Sequence, residues 1–445
     1  MIQAKFTFPD QFLWGTATAA YQVEGGNVWN DWYDWEQKGR IYQDHICGRA
    51  CDWWAGQWKL DLDRAAEAGQ NAHRFSIEWS RIQPDPNRWN ENAIDHYRAM
   101  VRGMVDRGLT PMVTLHHFTN PRWLMEQGGW ENPQAVLHFQ HFVEKIVPAL
   151  REYVKLWCPI NEPNVYAFLG YLLGDFPPGK SDLSSLFRVM THLARAQAAA
   201  YQVIHRLQPQ ARVGSVIHYR HFQPAQPGNP LDRLVSHLHR SLFNEFFPRA
   251  AQTGWLVFPH RRIRRPEIQG SQDFLGINYY TAEKVTLRLS ASDNFFLHRF
   301  LDPGVKHSET GYIALTPQGL FEAVRWGAGY QLPLYITENG IDDSQDTIRP
   351  RYLAEHIHAL WKALQHGWPV QGYFHWTLVD NFEWERGWSQ RFGLWELNRY
   401  TQTRIKRRSA DLYAAVCREN ALSAEKINSF APDSAAAILP GDPPA

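Results

Sequence analysis

Short apolar segments alternate with longer amphipathic segments along the chain between about residue 8 and residue 425. The apolar segments have the length of strands that are buried on both faces; they are Phe12–Thr16, Ala72–Ile77, Pro111–His116, Val154–Ile160, Arg212–Ile217, Phe274–Tyr279, Pro333–Thr337 and Val370–His375. Apolar residues at helical spacing fill most of the intervals, in Leu60–Ala68, Ala93–Arg107, Pro133–Tyr153, Ser185–Leu207, Thr316–Gly329 and Arg351–His366.

Eight strands that alternate with helices predict an α/β chain folded as a single (β/α)₈ barrel, with long loops after the strands. An open, doubly wound sheet is the alternative. A sheet of that kind that binds a dinucleotide needs a glycine-rich turn after its first strand, and Gly25-Gly26 does not supply the motif. The barrel is therefore the better prediction.

Two segments lack the pattern of a regular element. Residues from Lys284 to Gly311 have weak periodicity and are predicted to form a long loop over the carboxyl ends of the strands. Residues 429–445 are rich in alanine and proline, so we expect a flexible tail there. The predicted organisation is one barrel domain over residues 1–428, followed by this tail.

The charge balance limits the kind of partner. The chain has 46 basic and 45 acidic residues and a formal net charge of +1. No overall field would draw it to nucleic acid or to an anionic membrane, and a neutral partner fits better. The chain shows neither the pattern of a secretion signal nor an apolar run long enough to span a bilayer, so we expect a soluble cytoplasmic protein. The oligomeric state stays open.

The cysteines and aromatic residues add two expectations. Of the four cysteines, Cys47 and Cys51 lie near His45, but no second pair of ligands follows at zinc spacing. We therefore expect reduced thiols, no metal and no cofactor. The 20 tryptophans belong mostly to the core, but aromatic rings also pack on the apolar faces of sugars.

Two glutamates follow apolar segments directly. Glu162 ends the run Leu156-Trp-Cys-Pro-Ile-Asn-Glu, and Glu338 ends Leu334-Tyr-Ile-Thr-Glu. A strand that ends in a polar loop residue is common, so each glutamate alone is weak evidence. A pair of carboxyl groups at one end of a barrel can cleave a glycosidic bond, with one group protonating the leaving oxygen and the other attacking the sugar.

Other polar and aromatic residues follow the predicted strands, where barrel enzymes place their chemistry; these are Gln22, His117, Asn161, Asn278, Tyr280, Trp376, Glu383 and Trp384. His117 taken alone is more typical of a hydrogen-bonded core histidine. Arg74 lies inside the second strand. A buried guanidinium needs a carboxylate partner, and Glu338 is a plausible one.

The motifs around these residues resemble glycoside hydrolase family one, the retaining β-glucosidases and their relatives. The resemblance covers nearly the whole chain, and its motifs follow the family's order; they are Phe8-Pro-Asp-Gln-Phe-Leu-Trp-Gly-Thr-Ala, His73-Arg-Phe-Ser-Ile-Glu-Trp-Ser-Arg-Ile, Asn161-Glu-Pro, Gly276-Ile-Asn-Tyr-Tyr, Ile336-Thr-Glu-Asn-Gly and Asp380-Asn-Phe-Glu-Trp. Among the departures, Glu78 replaces a residue that is usually small, and Phe118-Thr-Asn-Pro replaces a frequent Trp-Asp-Leu-Pro.

The resemblance implies a role for each site residue. Glu338 becomes the nucleophile, kept ionised by Arg74 and Tyr280. Glu162 becomes the acid/base, kept protonated in part by the negative charge of Glu338 across the site. A retaining mechanism implies carboxyl groups about 5–5.5 Å apart. Asn278 supports the catalytic pair, and the glycone subsite is implied to consist of Gln22, His117, Asn161, Trp376, Glu383, Trp384 and Trp388.

The implied activity is hydrolysis of terminal β-D-glucosyl residues, with β-galactosyl or β-fucosyl residues as further substrates. The substrate would be a small β-glycoside or a short oligosaccharide. The phospho-sugar branch of the family has a phosphate-binding group after the eighth strand, which this chain lacks, although Arg386 and Arg391 lie in that stretch. Two alternatives remain: a transglycosylase that uses the same intermediate and, less favoured, a non-catalytic sugar-binding protein.

Overall fold

A computed structural model describes residues 4–288 and 297–439. Its centre is a closed barrel of parallel strands, which confirms the predicted fold. The strands lie in the order β6-β7-β8-β1-β2-β3-β4-β5, and pairing of β5 with β6 closes the ring. Their bounds are β1 Leu13–Ala17, β2 Ala72–Ser76, β3 Thr110–His116, β4 Leu156–Ile160, β5 Arg212–Pro224, β6 Phe274–Leu287, β7 Leu334–Asn339 and β8 Val370–His375.

Helices surround the barrel and bury one face of each strand. The longer ones are Trp58–Glu67, Glu91–Val105, Gln134–Leu150, Leu183–Leu207, Pro230–His239, Phe246–Thr253, Pro317–Ala328, Arg349–Gln365 and Arg408–Glu419. Shorter α-helices are Ala20–Glu24, Asp31–Gln37, Trp79–Ile82, Arg122–Glu126, Pro163–Phe168, Ala424–Phe430 and Ala435–Ile438. Single π-helical turns are Leu169–Leu173 and Arg240–Asn244, and 3₁₀ turns are Tyr42–Asp44, Gly129–Glu131, Pro266–Ile268, Trp384–Arg386 and Pro432–Ser434.

The remaining strands form small antiparallel pairs outside the ring. Lys5–Thr7 pairs with Ala421–Ser423, so the two ends of the described chain meet at one edge. The other pairs are Trp255–Phe258 with Arg261–Arg264 and Trp395–Leu397 with Arg404–Lys406.

The barrel strands are buried along nearly their whole length. Every residue of β2, β4 and β7 is buried, as expected for parallel strands covered on both faces. This explains why these segments read as continuous apolar runs. Arg74 in β2 is also fully buried, so the guanidinium group projects into a low-dielectric interior where it needs partners.

The predicted loop from Lys284 to Gly311 is wrong at its start. Residues Lys284–Leu287 continue β6, and Leu297–Phe300 pairs with them in antiparallel register to form a hairpin arm. β5 also extends past the barrel, and Phe222 pairs with Glu283 beside this arm. Weak periodicity conceals such strands, because an arm outside the core has no continuous apolar face.

The expected tail is ordered over most of its length, which corrects the prediction for residues 429–439. A helix ends at Phe430, and a 3₁₀ turn and the helix Ala435–Ile438 follow. These turns contact the outer helix Arg349–Gln365, and Ile438 is buried. The alanines that suggested low complexity are helix formers in a packed segment. Residues 440–445 lie outside the described residues.

Two further observations bear on environment. Within the described ranges, no helix is both long enough and apolar enough to cross a membrane. The four cysteines are buried and unbridged.

Candidate active site

A cavity of about 180 Å³ opens at the carboxyl ends of the barrel strands. Both glutamates line it, together with His117, Trp376 and Glu383. Half of the remaining lining residues are aromatic, namely Phe118, Phe176, Tyr280, Tyr312, Trp384 and Phe392. The residues that the sequence placed after different strands therefore meet in one pocket.

Glu338 lies near the end of β7 and is almost fully buried. One carboxylate oxygen accepts a hydrogen bond from the Arg74 guanidinium, and the other accepts one from the Tyr280 hydroxyl at 2.6 Å. One of these donors carries a full positive charge. Such charge-assisted hydrogen bonds fix both the ionisation and the orientation of a carboxylate.

Arg74 connects the two sides of the pocket. Its other terminal nitrogen donates to Oδ1 of Asn161, the residue before Glu162. Asn278 on β6 donates to the same oxygen at 3.2 Å and to Oε1 of Glu162 at 2.8 Å. A buried polar network of this kind holds the two carboxyl groups in a fixed relation.

Glu162 follows β4 in a left-handed backbone conformation, with φ of 42°. A non-glycine residue there costs on the order of 1 kcal/mol, and such strain is concentrated at functional sites. Proline at position 163 then begins the next helix. Oε1 of Glu162 accepts from Asn278 and from Nδ1 of His218, at 2.9 Å, so both donors address the same oxygen.

The proton distribution between the two glutamates depends on His218. Burial alone would raise the pKa of Glu162, but a protonated His218, with the hydrogen bond from Asn278, lowers it below the ordinary value. Burial and the charge on Glu162 then raise the pKa of Glu338 to about 7, against the opposing effect of Arg74. When the His218 ring is charged, the pKa of Glu338 is thus higher than that of Glu162. This order is the reverse of the one expected from sequence.

Gln22 and Glu383 lie on the opposite side of the cavity. The Gln22 amide nitrogen donates to the Phe382 carbonyl at 2.6 Å and to Glu383 at 3.2 Å. The indole of Trp376 donates to the other carboxyl oxygen of Glu383 at 3.1 Å. Burial raises the pKa of Glu383 well above its ordinary range. Oε1 of Gln22 is buried without a partner and can accept a hydrogen bond from a ligand.

His117 belongs to the pocket and not to the core, contrary to the expectation for a lone histidine. Its Nε2 lies 3.1 Å from the Asn161 amide nitrogen, which can only donate. The ring proton is therefore on Nδ1, which is buried without a partner and available to a ligand oxygen. Trp384 stacks on this ring with centroids 5.7 Å apart.

Comparison with known proteins identifies the family. The model of "Glycosyl hydrolase family 1" matches residues 4–422. The chain belongs to this family. It is therefore a hydrolase of glycosidic bonds.

Relatives of this glycosyl hydrolase match it over nearly their full length. Beta-glucosidase A of Thermotoga maritima is 33% identical over 93% of this chain and 98% of its own. The solved structure of a beta-glycosidase from Pyrococcus horikoshii superposes with a TM-score of 0.89 at 36% identity, covering 96% of this chain and 98% of that one. A Thermotoga maritima beta-glucosidase in complex with glucoimidazole gives a TM-score of 0.88 at 31% identity, covering 94% and 100%.

Three predicted subsite residues of this glycosyl hydrolase, Gln22, Asn161 and Trp388, do not line the cavity themselves. Gln22 and Asn161 are hydrogen-bonded to the lining residues Glu383 and His117. Trp388 is buried behind Glu383, where its indole donates to the Ile46 carbonyl at 2.9 Å and its ring packs edge-on against Phe382. The backbone nitrogen of Trp388 is held by His45 at 3.0 Å. The structure thus gives Trp388 a supporting place beneath the loop that carries Glu383.

Several residues that line the cavity of the glycosyl hydrolase were not predicted from sequence, among them the polar or charged His218, Arg220, Tyr312 and Gln390. A signal for His218 was present, because it follows the predicted end of the fifth strand at Ile217, just as the other site residues follow theirs. Tyr312 and Gln390 reach the cavity from loops, for which strand periodicity gives no signal. Among the described residues, no group of three or more His, Cys, Asp or Glu side chains is arranged to hold a metal ion.

Proposed function

We propose that this glycosyl hydrolase is a β-glucosidase that works by double displacement, with Glu338 as the nucleophile and Glu162 as the acid/base. The unlike donor sets of the two buried carboxyl groups carry this proposal. Glu338 faces the charged Arg74 and the Tyr280 hydroxyl, whereas Glu162 faces an amide and an imidazole. Ionised and protonated carboxyl groups require environments that differ in this way.

In the first step, a carboxylate oxygen of Glu338 forms a bond to the anomeric carbon as the bond from that carbon to the leaving oxygen breaks. The proton of Glu162 moves to the leaving oxygen, so the aglycone departs as a neutral alcohol. Arg74 and Tyr280 orient the attacking carboxylate through their hydrogen bonds. These bonds weaken when the Glu338 carboxylate loses its negative charge on forming the ester.

In the second step, water attacks the anomeric carbon and breaks the ester bond to Glu338. Glu162, now ionised, takes a proton from the water and is restored to its acidic form. Because Glu338 is neutral in the ester, the charge that favoured protonation of Glu162 is absent. The two displacements together retain the anomeric configuration, and we expect the carboxyl groups to lie about 5–5.5 Å apart.

The glycone fits the opposite side of the pocket. The free Oε1 of Gln22 can accept from a hydroxyl group, and the free Nδ1–H of His117 can donate to one. Glu383 supplies a carboxyl group beside the Gln22 amide, and the Trp376 ring lies at the pocket wall as a surface for a pyranose face. We expect Asn161, which accepts a hydrogen bond from Arg74, to hold the 2-hydroxyl next to the acid/base.

A neutral sugar suits this pocket better than a phosphorylated one, because both arginines of the phosphate-binding stretch have other partners. Arg386 lies over the Tyr312 ring at 4.1 Å and pairs with Glu385 at 3.2 Å. Arg391 lies 3.8 Å from Asp380 and stacks on an indole. Each guanidinium is thus already paired with a carboxylate of the chain, which weakens its attraction for a phosphate group.

Hydrolysis is favoured over the two alternatives. The similar Thermotoga maritima proteins are named beta-glucosidases, that is, enzymes that hydrolyse glucosides. Their names do not support transglycosylation. A non-catalytic sugar-binding protein would not need two oriented carboxyl groups, and both are present and hydrogen-bonded here.

The variant Glu338→Ala tests the assignment of the nucleophile. It removes the group that forms the covalent bond, so kcat for an aryl β-glucoside should fall by at least about a thousandfold. Azide should partly restore turnover and give a β-to-α inverted glycosyl azide, since it attacks from the vacated side. The matched variant Glu322→Ala on the outer helix Pro317–Ala328 should keep its activity. Near-native activity of Glu338→Ala without azide would overturn the proposal.

We also propose a cytoplasmic location, supported by four buried thiols that form no disulfide. Reducing compartments keep thiols in this state. Cell fractionation with an antibody against the full chain tests it, and recovery of the protein only outside the cytoplasm would contradict it.

A further inference from the structure

His218 is the one histidine in direct contact with the acid/base within the described ranges. It lies on β5, and its ring is mostly buried at the side of the cavity. Nδ1 is 2.9 Å from Oε1 of Glu162, and Nε2 is 3.3 Å from Nε of Arg220. Both ring nitrogens are therefore engaged.

These two contacts define the tautomer. The Nε–H of an arginine can only donate, so Nε2 of His218 must present a lone pair to Arg220. The ring is then neutral and carries its proton on Nδ1, which points at Glu162. A second ring proton on Nε2 would oppose the Arg220 donor directly.

The groups around the ring hold it in place. Tyr280 on β6 stacks on it with centroids 5.6 Å apart, and Phe243 contacts it edge-on at 6.1 Å. Arg220 is in turn paired with Glu283, a carboxylate on β6 that Arg299 approaches to 3.6 Å. The charged groups that face His218 are thus Glu162 on one side and the Arg220–Glu283 pair on the other.

We propose that neutral His218 is a positioning residue for the acid/base, and that Arg220 enforces the tautomer this task requires. The inference rests on the proposed function of Glu162. Because His218 and Asn278 both donate to Oε1, the catalytic proton is confined to Oε2. That oxygen is the one left to address the leaving group.

The charge on the ring decides where the catalytic proton resides. A ring with protons on both nitrogens would lose the bond from Arg220 and place a positive charge against Glu162. The pKa of Glu162 is then lowered and the proton resides on Glu338, which disables both catalytic roles. A neutral ring removes the largest of these effects and leaves the proton on the acid/base.

The variant His218→Phe tests this, because it keeps the stack on Tyr280 but removes both ring nitrogens. We expect the acidic limb of the kcat/KM profile to move to lower pH, since no ring can protonate. The alkaline limb should move to higher pH, since the ionised Glu162 loses a donor. Alkyl glucosides, which need protonation, should lose roughly tenfold more kcat/KM than dinitrophenyl glucosides.

His218→Asn is the conservative partner variant. Its amide nitrogen can donate to Oε1, so the alkaline limb should return toward the wild-type position, while the acidic limb should stay shifted because no ring titrates. His221→Phe is the matched control on the same strand, where the ring stacks on Tyr219 and does not line the cavity. It should leave the pH profile unchanged.

Arg220→Gln tests the tautomer separately and does not depend on the folding of the His218 variants. Without the guanidinium the ring protonates more readily, so the acidic limb should move to higher pH; in the His218→Asn background the same change should produce no shift.

A wild-type profile in Arg220→Gln, or an equal loss for good and poor leaving groups in folded His218→Phe, would overturn the inference. If Glu162→Ala retains full activity on alkyl glucosides, the proposed function fails instead.

Discussion

At the scale of single residues, the chemistry depends on which donor faces which carboxyl oxygen. Arg74 and Tyr280 address separate oxygens of Glu338, whereas His218 and Asn278 share one oxygen of Glu162. The first arrangement saturates a carboxylate that must be ionised. The second leaves one oxygen free to carry and deliver a proton.

The first residue-scale prediction concerns the acid/base. Removing the carboxyl group in Glu162→Ala should flatten the alkaline limb of the pH–rate profile, because the group whose ionisation causes it is gone. Substrates with poor leaving groups should lose about a hundredfold to ten-thousandfold in kcat/KM, and dinitrophenyl glucosides far less. Steady-state kinetics on both substrate types measure this, and equal losses would argue against Glu162 as the acid.

The second concerns sugar choice and Glu383. This carboxyl group is placed between Gln22 and Trp376, where we expect it to bond the 4- and 6-hydroxyls. Glu383→Ala should therefore cost roughly tenfold to a hundredfold more kcat/KM with an aryl β-glucoside than with the 6-deoxy β-fucoside.

Glu385→Ala is the matched control for Glu383, since its carboxyl group is partly exposed beside Arg386 and does not line the cavity. Its losses should be the same for both sugars. An equal loss on both sugars in Glu383→Ala as well would show that Glu383 does not bond the 6-hydroxyl.

Most of the site could be predicted from sequence because one rule places it: polar residues follow buried strands, and parallel strands end at one edge. The rule also covers His218. It does not cover Trp388, which is close to Glu383 in sequence but whose indole turns away to the Ile46 carbonyl. Nor could spacing reveal the tautomer of His218, because that depends on a contact with Arg220 that only the folded chain brings about.

At the scale of elements, the barrel strands were predictable to within a few residues because each is a buried apolar run, except that β5 and β6 continue past the barrel to Pro224 and Leu287. The helix Pro230–His239 was not predicted. Its partly exposed surface carries leucines such as Leu231 and Leu234, which weaken the contrast between its two faces. The hairpin arm formed by β6 and Leu297–Phe300 lies outside the core, so it carries no core pattern.

The element-scale prediction concerns the helical turns of residues 429–439. A chain that ends at residue 428 loses the contacts of Ile438 and its neighbours with the helix Arg349–Gln365. Its Tm should fall by a few degrees, since burial of one such side chain stabilises by about 1.5–3 kcal/mol. A chain that ends at residue 439 is the control and should keep its Tm. Equal Tm values for both would show that these turns contribute no stability.

At the scale of the whole molecule, the net charge is close to zero, but the buried charged groups are unevenly distributed. Several carboxyl groups are buried between the barrel mouth and the first helices, and Arg81 pairs with only one of them, Glu24. Burial raises the pKa of Asp31 to about 7 and that of Glu78 to about 7. Glu78, which replaces a usually small residue, bonds the hydroxyls of Ser80 and Thr119.

Raised pKa values in the folded state link stability to pH with a definite sign. The folded protein binds protons on Asp31 and Glu78 up to about pH 7, whereas in the unfolded chain these groups release them near their ordinary values. The contribution of Asp31 and Glu78 to stability is therefore fully present below about pH 4, and it is lost as the pH rises through 7. Other groups that titrate in acid act in the opposite direction, so the expected signature is a decline in Tm from about pH 5 to pH 7 that levels off above pH 7.

The last prediction uses Glu78→Gln, which keeps the shape of the side chain and removes the ionisation. Above pH 7 the variant should be more stable than the wild type, by an amount on the order of 3 kcal/mol at most, because no charge has to be buried. Below about pH 4, where Glu78 is protonated in both the folded and the unfolded wild type, the difference should vanish. Thermal unfolding followed by circular dichroism from about pH 3.5 to pH 9 measures both limits, with the exposed-site variant Glu91→Gln as the control. A Tm difference that does not change with pH would show that Glu78 does not titrate in the folded protein over this range.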